Sequence, residues 1–163
     1  MLQFYYMLDI VAIISAKYLF SISVLVGGAY FLLQSRPTQK RMIVLSVVSL
    51  AFVLFGIFIL HQLYFNPRPF VVGSFTPLVN HVANNGFPSE HATFTALIAS
   101  VMYVFNRRIG LLLFLISIIV SLGRVYAGVH HFIDIIAGIL LAILMTALSQ
   151  VIINKPIFKQ FLK

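Results

Sequence analysis

The chain has 163 residues and a formal net charge of +8; 61% of its residues are hydrophobic, only 9% are charged, and cysteine and tryptophan are absent. This composition excludes a soluble globular domain, a disulfide framework and a thiolate metal site. We expect one integral-membrane domain that covers residues 1–163.

Apolar runs follow one another along the chain, and each approaches the roughly 20 residues that a helix needs to cross a bilayer. They lack the period-two alternation of strands, and lipid-exposed backbone must satisfy its own hydrogen bonds. The sequence therefore predicts an all-α, polytopic transmembrane helix bundle of about five spanning helices. In chain order the predicted helices cover residues 8–33, 43–65, 89–105, 109–123 and 131–153.

Basic residues cluster where the apolar runs end, and the runs alternate so that all the clusters fall on one side of the membrane. The clusters are Arg36, Lys40 and Arg41; Arg107 and Arg108; and Lys155, Lys159 and Lys163. This positive-inside pattern places them in the cytoplasm of a multi-pass protein of the cell membrane. The net positive charge is therefore explained by the orientation of the protein in the lipid bilayer, and we expect no nucleic acid as a partner.

Two polar stretches, residues 88–91 and 124–134, contain two of the three acidic residues and three of the five histidines. Ionisable groups beside apolar spans usually pair with one another or have a function. Both stretches fall on the predicted outer side, together with Arg68. We therefore expect an active site that handles phosphate at the extracytoplasmic ends of the helices.

The segment Pro88-Ser89 is typical of a helix entry, with Ser89 as the N-cap residue. The free amides and positive dipole end of such a helix bind anions, phosphate especially. His91 would lie in the first turn, next to the anion. The alternative is a plain capped helix with an interfacial histidine.

His130 and Asp134 are four residues apart and share a face if this segment is helical. A carboxylate that accepts a hydrogen bond from one imidazole nitrogen fixes the tautomer and leaves the other nitrogen free to attack. A purely structural pair is the alternative. The guanidinium groups of Arg68 and Arg124 match phosphate oxygens, although each could also bind a lipid headgroup.

Together, and in this order, these motifs resemble the type-2 phosphatidic acid phosphatase superfamily, whose pattern is Lys-x6-Arg-Pro, Pro-Ser-Gly-His and Ser-Arg-x5-His-x3-Asp. The resemblance covers about residues 61–138. It implies that His130 is the nucleophile that forms a phosphohistidine, that Asp134 orients it, and that His91 is the general acid. It also implies that no metal or other cofactor is needed. The residues that would bind the phosphoryl group are Arg68, Arg124 and Ser89.

The chain departs from this pattern at three positions. His61 stands in place of the family's lysine, Glu90 in place of the glycine, and Gly123 in place of the serine. We expect the carboxylate of Glu90 to point away from the phosphate. Lys17, a cation within the first predicted span, could reach the site and supply the charge that His61 lacks; the alternative is that it snorkels to an interface.

The short chain and the acidic residue in Pro-Ser-Glu-His resemble the bacitracin-resistance branch, the undecaprenyl-diphosphatases. This resemblance implies a polyprenyl diphosphate substrate that is cleaved on the outer face of the membrane. A phosphatidylglycerophosphate or phosphatidate phosphatase of the same fold is the alternative. A non-catalytic proton relay or scaffold that uses His61, His91 and His130 is a further one. We interpret His81 and His131 as interfacial residues without a role in catalysis.

Overall fold

The computed structural model describes residues 2–156, so that Lys159 and Lys163 of the third basic cluster lie outside the described residues. Over this range the regular secondary structure is helical, apart from one isolated bridge between Pro67 and Asn85. The helices are α1 (Leu2–Leu32), α2 (Arg36–Leu63), α3 (Pro69–Val72), α4 (Glu90–Phe105), α5 (Arg107–Tyr126) and α6 (Phe132–Ile153).

Four of the described helices, α1, α2, α5 and α6, are long and apolar enough to cross a membrane. Helix α4 is also apolar but has only 16 residues. The predicted all-α transmembrane class is therefore confirmed, with four candidate spans and one shorter helix. Large apolar side chains on the outside of the spans remain exposed, as expected of surfaces that face lipid.

Helix α4 is the centre of the bundle and packs against α1, α2, α5 and α6. Glycines of three neighbouring helices, Gly27 of α1, Gly110 of α5 and Gly138 of α6, face it, and residues this small let helix backbones approach closely. A Cβ atom at Gly138 of α6 would lie only 2.5 Å from Thr93 Oγ1 and 2.9 Å from the carbonyl oxygen of Ser89. This close approach brings the starts of α4 and α6, and the polar stretches at those starts, to one end of the bundle.

The turns that join the helices are shorter than the sequence predicted. Helix α2 begins at Arg36 because proline is tolerated in a first helical turn, and Pro37 occupies that position. Helix α5 follows α4 after a single residue: Asn106 Oδ1 accepts hydrogen bonds from the amides of Arg108 and Ile109 at 3.1 and 3.2 Å. The longest connection runs between α2 and α4, contains α3, and covers the end of the bundle where the polar stretches meet.

Candidate active site

The connection between α2 and α4 is held in place by asparagine side chains. The amide of Asn66 donates to Asn85 Oδ1 at 2.9 Å, and Asn85 Nδ2 donates to the carbonyl oxygen of Tyr64 at 2.9 Å. The amide of Gly86 donates back to the carbonyl oxygen of Asn66 at 2.8 Å. These bonds fold the connection into a cover over the starts of α4 and α6.

The imidazole of His130, in the turn between α5 and α6, is held in one tautomer. Its Nδ1 lies 3.0 Å from the carbonyl oxygen of Gly86 and 3.4 Å from Asp134 Oδ2. Because a carbonyl oxygen can only accept, Nδ1 must carry the proton and donate it. Nε2 therefore carries the lone pair, to which Arg68 Nη1 donates at 3.1 Å.

Asp134 is completely buried in the first turn of α6 and is fixed through both carboxylate oxygens. Oδ1 accepts from Asn66 Nδ2 at 2.7 Å, and Oδ2 accepts from the amide of His131 at 2.8 Å. His130 precedes α6, which begins only at Phe132, so the helical condition for a shared face of His130 and Asp134 is not met. The two side chains meet because the chain enters the helix with His130 folded back over its first turn.

Arg68 precedes α3 and is 5% exposed. Its Nε donates to Asn84 Oδ1 at 2.9 Å, and its Nη1 donates to the carbonyl oxygen of Val129 at 2.8 Å. Burial lowers the pKa of Arg68, and the negative charges of Asp134 and Glu90 act in the opposite direction. The guanidinium thus ties the cover to the turn that carries His130.

Arg124 and Ser89 are buried with donors that have no acceptor in the described part of the chain. Arg124, near the end of α5, is 4% exposed, and both its Nε and Nη2 lack a partner. Ser89 occupies the predicted N-cap position of α4, but its hydroxyl makes no capping bond and is also unpartnered. A buried donor left without an acceptor costs about 1–3 kcal/mol, and more if it is charged. These groups are therefore suited to an anion that brings its own oxygens.

A polar cavity of about 90 Å³ lies between the cover and the helix starts. At roughly 30 Å³ of liquid volume for each water molecule, it has room for a few oxygen-sized groups. The residues that line it are His61, Arg68, His81, Asn84, Asn85, Pro88, Glu90, His91 and His130. The structure thus brings His61, Arg68, His91 and His130 together around one cavity.

Lys17 is not brought to this cavity. Its side chain is exposed on α1 and lies outside the set of cavity-lining residues.

Glu90 lines the cavity. As the first residue of α4 it lies at the cavity edge, where it stays exposed to solvent. Its negative charge acts on both Arg68 and Arg124. Glu90 therefore offsets part of the positive charge of the two guanidinium groups.

His81, which the sequence led us to interpret as an interfacial residue without a role in catalysis, also lines the cavity. Its ring lies edge-on to that of His130, with 6.0 Å between the centroids. Burial, and then the charges of Arg68 and Arg124, lower the pKa of His81 to about 4, so it is neutral at pH 7. His131 has a different role, because its Nε2 donates to the carbonyl oxygen of Pro67 at 3.1 Å.

Sequence reasoning missed Asn66, Asn84, Asn85 and His81. All four come from the connection between α2 and α4 and reach the site through tertiary folding. The one local signal was the concentration of asparagine and histidine on either side of an Arg-Pro pair.

The departure at Gly123 has a packing reason. A Cβ atom at this position would collide with Ser15 Oγ of α1 and lie 3.2 Å from the carbonyl oxygen of Ala12. Gly123 therefore faces α1, and its lack of a side chain allows α1 and α5 to pack closely.

Within residues 2–156, no group of three or more His, Asp or Glu side chains could hold a metal ion. The cations in the site are the two guanidinium groups.

Comparisons with known proteins agree with this geometry. A family model described as PAP2 superfamily matches residues 42–157. The chain is 26% identical over 138 residues to undecaprenyl-diphosphatase BcrC of Bacillus subtilis (strain 168), which covers 85% of this chain and 71% of the relative. It is 32% identical over 143 residues to the bacitracin transport permease protein BcrC of Bacillus licheniformis, with 86% and 69% covered.

A crystal structure of Aquifex aeolicus LpxE has the same fold, with a TM-score of 0.61 at 23% identity over 89% of this chain and 84% of that one. The family and these relatives support a membrane lipid phosphatase. The family model covers well over half of the sequence, and three of the motif residues that it spans, Arg68, His91 and His130, line one cavity. This multi-pass membrane protein therefore belongs to the PAP2 superfamily, the type-2 phosphatidic acid phosphatases that its motifs resemble.

Proposed function

We propose that this membrane lipid phosphatase removes the terminal phosphate of a polyprenyl diphosphate, such as undecaprenyl diphosphate, through a phosphohistidine at His130. The observation that carries the proposal is the buried, unpartnered guanidinium of Arg124. An isolated buried cation is costly unless it is paired. A tetrahedral phosphoryl group would supply acceptors for its Nε and Nη2 and for the hydroxyl of Ser89.

The geometry of His130 supports its role as the nucleophile. With the proton held on Nδ1 by Gly86 and Asp134, the lone pair of Nε2 is available to the cavity. Nε2 attacks the terminal phosphorus, and the bond from phosphorus to the bridging oxygen breaks. The lipid monophosphate leaves with the electron pair and takes a proton from His91 in its protonated form, which burial and then the charge of Arg124 disfavour by lowering the pKa of His91 to about 4. Arg68 Nη1, which donates to Nε2 in the free site, transfers to a phosphoryl oxygen as the P–N bond forms.

The second half of the reaction restores the enzyme. A water molecule attacks the phosphorus of the phosphohistidine and gives its proton to His91, which now acts as the base. The P–N bond breaks, its electrons return to Nε2, and inorganic phosphate departs. In both halves Arg68, Arg124 and the free amides at the start of α4 balance the phosphoryl charge. We therefore propose that the reaction needs no metal ion.

The test is a substrate panel on protein purified in detergent with excess EDTA. We expect phosphate release from undecaprenyl diphosphate at a higher kcat/KM than from phosphatidate or phosphatidylglycerophosphate, and none from His130→Ala on any substrate. Rapid quenching should trap a phosphoenzyme that is labile to acid and stable to alkali, and that His130→Ala does not form. A higher kcat/KM for a monoester would contradict the proposed diphosphate substrate and support a phosphatidate-type substrate. Activity that EDTA abolishes and Mg²⁺ restores would overturn the metal-free mechanism. If neither protein releases phosphate, a non-catalytic role is supported.

We further propose that the cavity faces the extracytoplasmic side, as the positive-inside pattern predicts. Lys40, near the start of α2, and Asn80, in the cover that follows the end of α2, are both exposed. In intact cells an impermeant thiol reagent should label Asn80→Cys and not Lys40→Cys. The reverse labelling would place the site in the cytoplasm.

A further inference from the structure

A second and much larger cavity lies between α1, α2 and α4, with a volume of about 500 Å³. Its walls are almost entirely apolar. Representative lining residues are Phe20, Val24 and Phe31 of α1, Val47 of α2, and Phe94 and Met102 of α4. We refer to this cavity as the apolar groove.

The apolar groove runs along the bundle away from the polar cavity. Phe20 and Phe31 line it on α1, and they are separated by a helical rise of about 16 Å. At one end, Phe20 packs edge-on against His91, with 6.1 Å between the ring centroids. His91 itself lines the polar cavity. The groove therefore begins at the residue assigned to protonate the leaving group.

Two glycines leave the α1 wall of the groove without side chains. A Cβ atom at Gly27 would lie 3.3 Å from Ile98 Cγ2, which leaves little room between α1 and α4 at that point. A Cβ atom at Gly28 would meet nothing within 4 Å, so the space there is open. Helices α1 and α2 each pack mainly on other helices, and the groove is the gap between them.

We propose that the apolar groove binds the hydrocarbon chain of the lipid whose phosphate enters the polar cavity. This inference rests on the proposed function. A single long chain leaving the phosphate passes His91, enters between Phe20 and Phe94, and follows α1 past Gly28. Because Phe20 of the apolar groove contacts His91 of the polar cavity, the two cavities adjoin and can hold the apolar tail and the ionic head of one lipid.

The groove acts on specificity by placing the head group. A hydrocarbon chain already surrounded by lipid gains little from the hydrophobic effect when it enters a protein groove. A chain held along α1 instead fixes where the phosphorus stands relative to His130 Nε2. Because a displacement of about 1 Å at the reacting atoms can cost a hundredfold in rate, obstruction of the groove should lower kcat/KM for long chains.

The experiment uses isopentenyl, farnesyl and undecaprenyl diphosphates, which share one head group and differ in chain length. Gly28→Leu places an apolar side chain in the open part of the groove. Ala29→Leu is the matched control, because Ala29 is the next residue on α1, is exposed and does not line the groove. We expect Gly28→Leu to lower kcat/KM for undecaprenyl diphosphate relative to isopentenyl diphosphate by about tenfold. Ala29→Leu should keep the wild-type ratio.

A second pair of variants obstructs the groove from the opposite wall and covers a failure of Gly28→Leu to fold. Val47 lines the groove on α2, whereas Leu54 is exposed on α2 away from it. Val47→Phe should lower the same ratio, and Leu54→Phe should not. An unchanged ratio in the groove variants, or an equal loss on all chain lengths, would overturn the inference. An equal loss together with a changed oligomeric mass would assign the groove to a second copy of the chain. A wild-type protein that is inactive on all three substrates would contradict the proposed function instead.

Discussion

Asn66 Nδ2 donates a 2.7 Å hydrogen bond to Oδ1 of Asp134 and thereby links the segment that follows α2 to the first turn of α6. The other carboxylate oxygen, Oδ2, receives the amide of His131 and faces Nδ1 of His130. Asp134 can hold the imidazole in one orientation because its own position is fixed from both sides.

Replacement of Asn66 by alanine should therefore impair catalysis through Asp134. The change leaves Oδ1 of a fully buried carboxylate without its donor, at a cost of about 1–3 kcal/mol. We expect a lower melting temperature and a fall in kcat of about tenfold to a hundredfold, with a smaller change in KM. Asn80→Ala, at an exposed position of the same connection, is the control. Wild-type kcat in Asn66→Ala would show that this bond does not orient the site.

The pH dependence of kcat/KM should reflect the environment of His130. Burial lowers the pKa of His130; Asp134 opposes this shift, and the charges of Arg68 and Arg124 add to it. A lowered pKa means that Nε2 keeps its lone pair to a lower pH than an imidazole in water, whose pKa is about 6.5. The loss of activity on the acid side should therefore lie below pH 6.5. If kcat/KM already fell on the acid side at a pH above 6.5, the result would contradict a neutral His130 in the free enzyme.

Arg124 should have opposite effects on stability and on activity. Without an anion, its buried guanidinium has two unpartnered donors, so Arg124→Leu should leave the melting temperature of the free protein unchanged or raise it. The same variant should lower kcat/KM by about a hundredfold to a thousandfold, because one charge-assisted clamp on the phosphoryl group is lost.

The control for this prediction is the response to a phosphate analogue. Orthovanadate should raise the melting temperature of the wild type, since a ligand that binds only the folded state stabilises it. It should not do so for Arg124→Leu. Arg124→Lys keeps the charge without the planar fork and should give intermediate values. Equal stabilisation of all three proteins would exclude Arg124 from the anion site.

His91 should matter in proportion to how much the leaving group needs a proton. Cleavage of a lipid monoester expels an alkoxide, whereas cleavage of a diphosphate expels a lipid phosphate, which is a much weaker base. His91→Ala should therefore retain a larger fraction of wild-type kcat/KM on undecaprenyl diphosphate, or on an aryl phosphate, than on phosphatidate. His130→Ala should be inactive on all of them. An equal fractional loss for every leaving group would make His91 a phosphate-binding residue.

The sequence indicated the motif residues of the candidate site better than the residues that surround them. The order and spacing of Arg68, His91, Arg124, His130 and Asp134 are local features of the sequence, and so were visible in it. The surroundings of His130 were not visible in the sequence, because they come from distant parts of the chain. Gly86, whose carbonyl oxygen contacts His130, is 44 residues away from it, and Asn66, which donates to Asp134, is 68 residues away from that carboxylate. Such contacts leave no periodic pattern in the chain.

Helix positions were predicted well in the apolar runs, and both ends of α4 and of α6 were predicted to within one residue, whereas the starts of α1 and α2 were predicted too late. Composition identifies the part of a helix that faces lipid, but helix ends depend on capping and on turns. Helix α3 follows directly from the Arg68-Pro69 step and had no hydrophobic signal of its own. The place of Glu90 beside the cavity could not be predicted, because it depends on how α4 packs against α6.

The amide of Ser89 donates to the carbonyl oxygen of Asp134 at 3.0 Å, and Gly138 holds α4 and α6 in contact just below this bond. Both contacts involve main-chain atoms, so changes to the catalytic side chains leave this link between the helices in place. His91 and Asp134, to which we assign the proton donor and the orienting carboxylate, thus lie on two helices that are in main-chain contact. Arg68 and His81 are not part of this link, because the connection between α2 and α4 carries them.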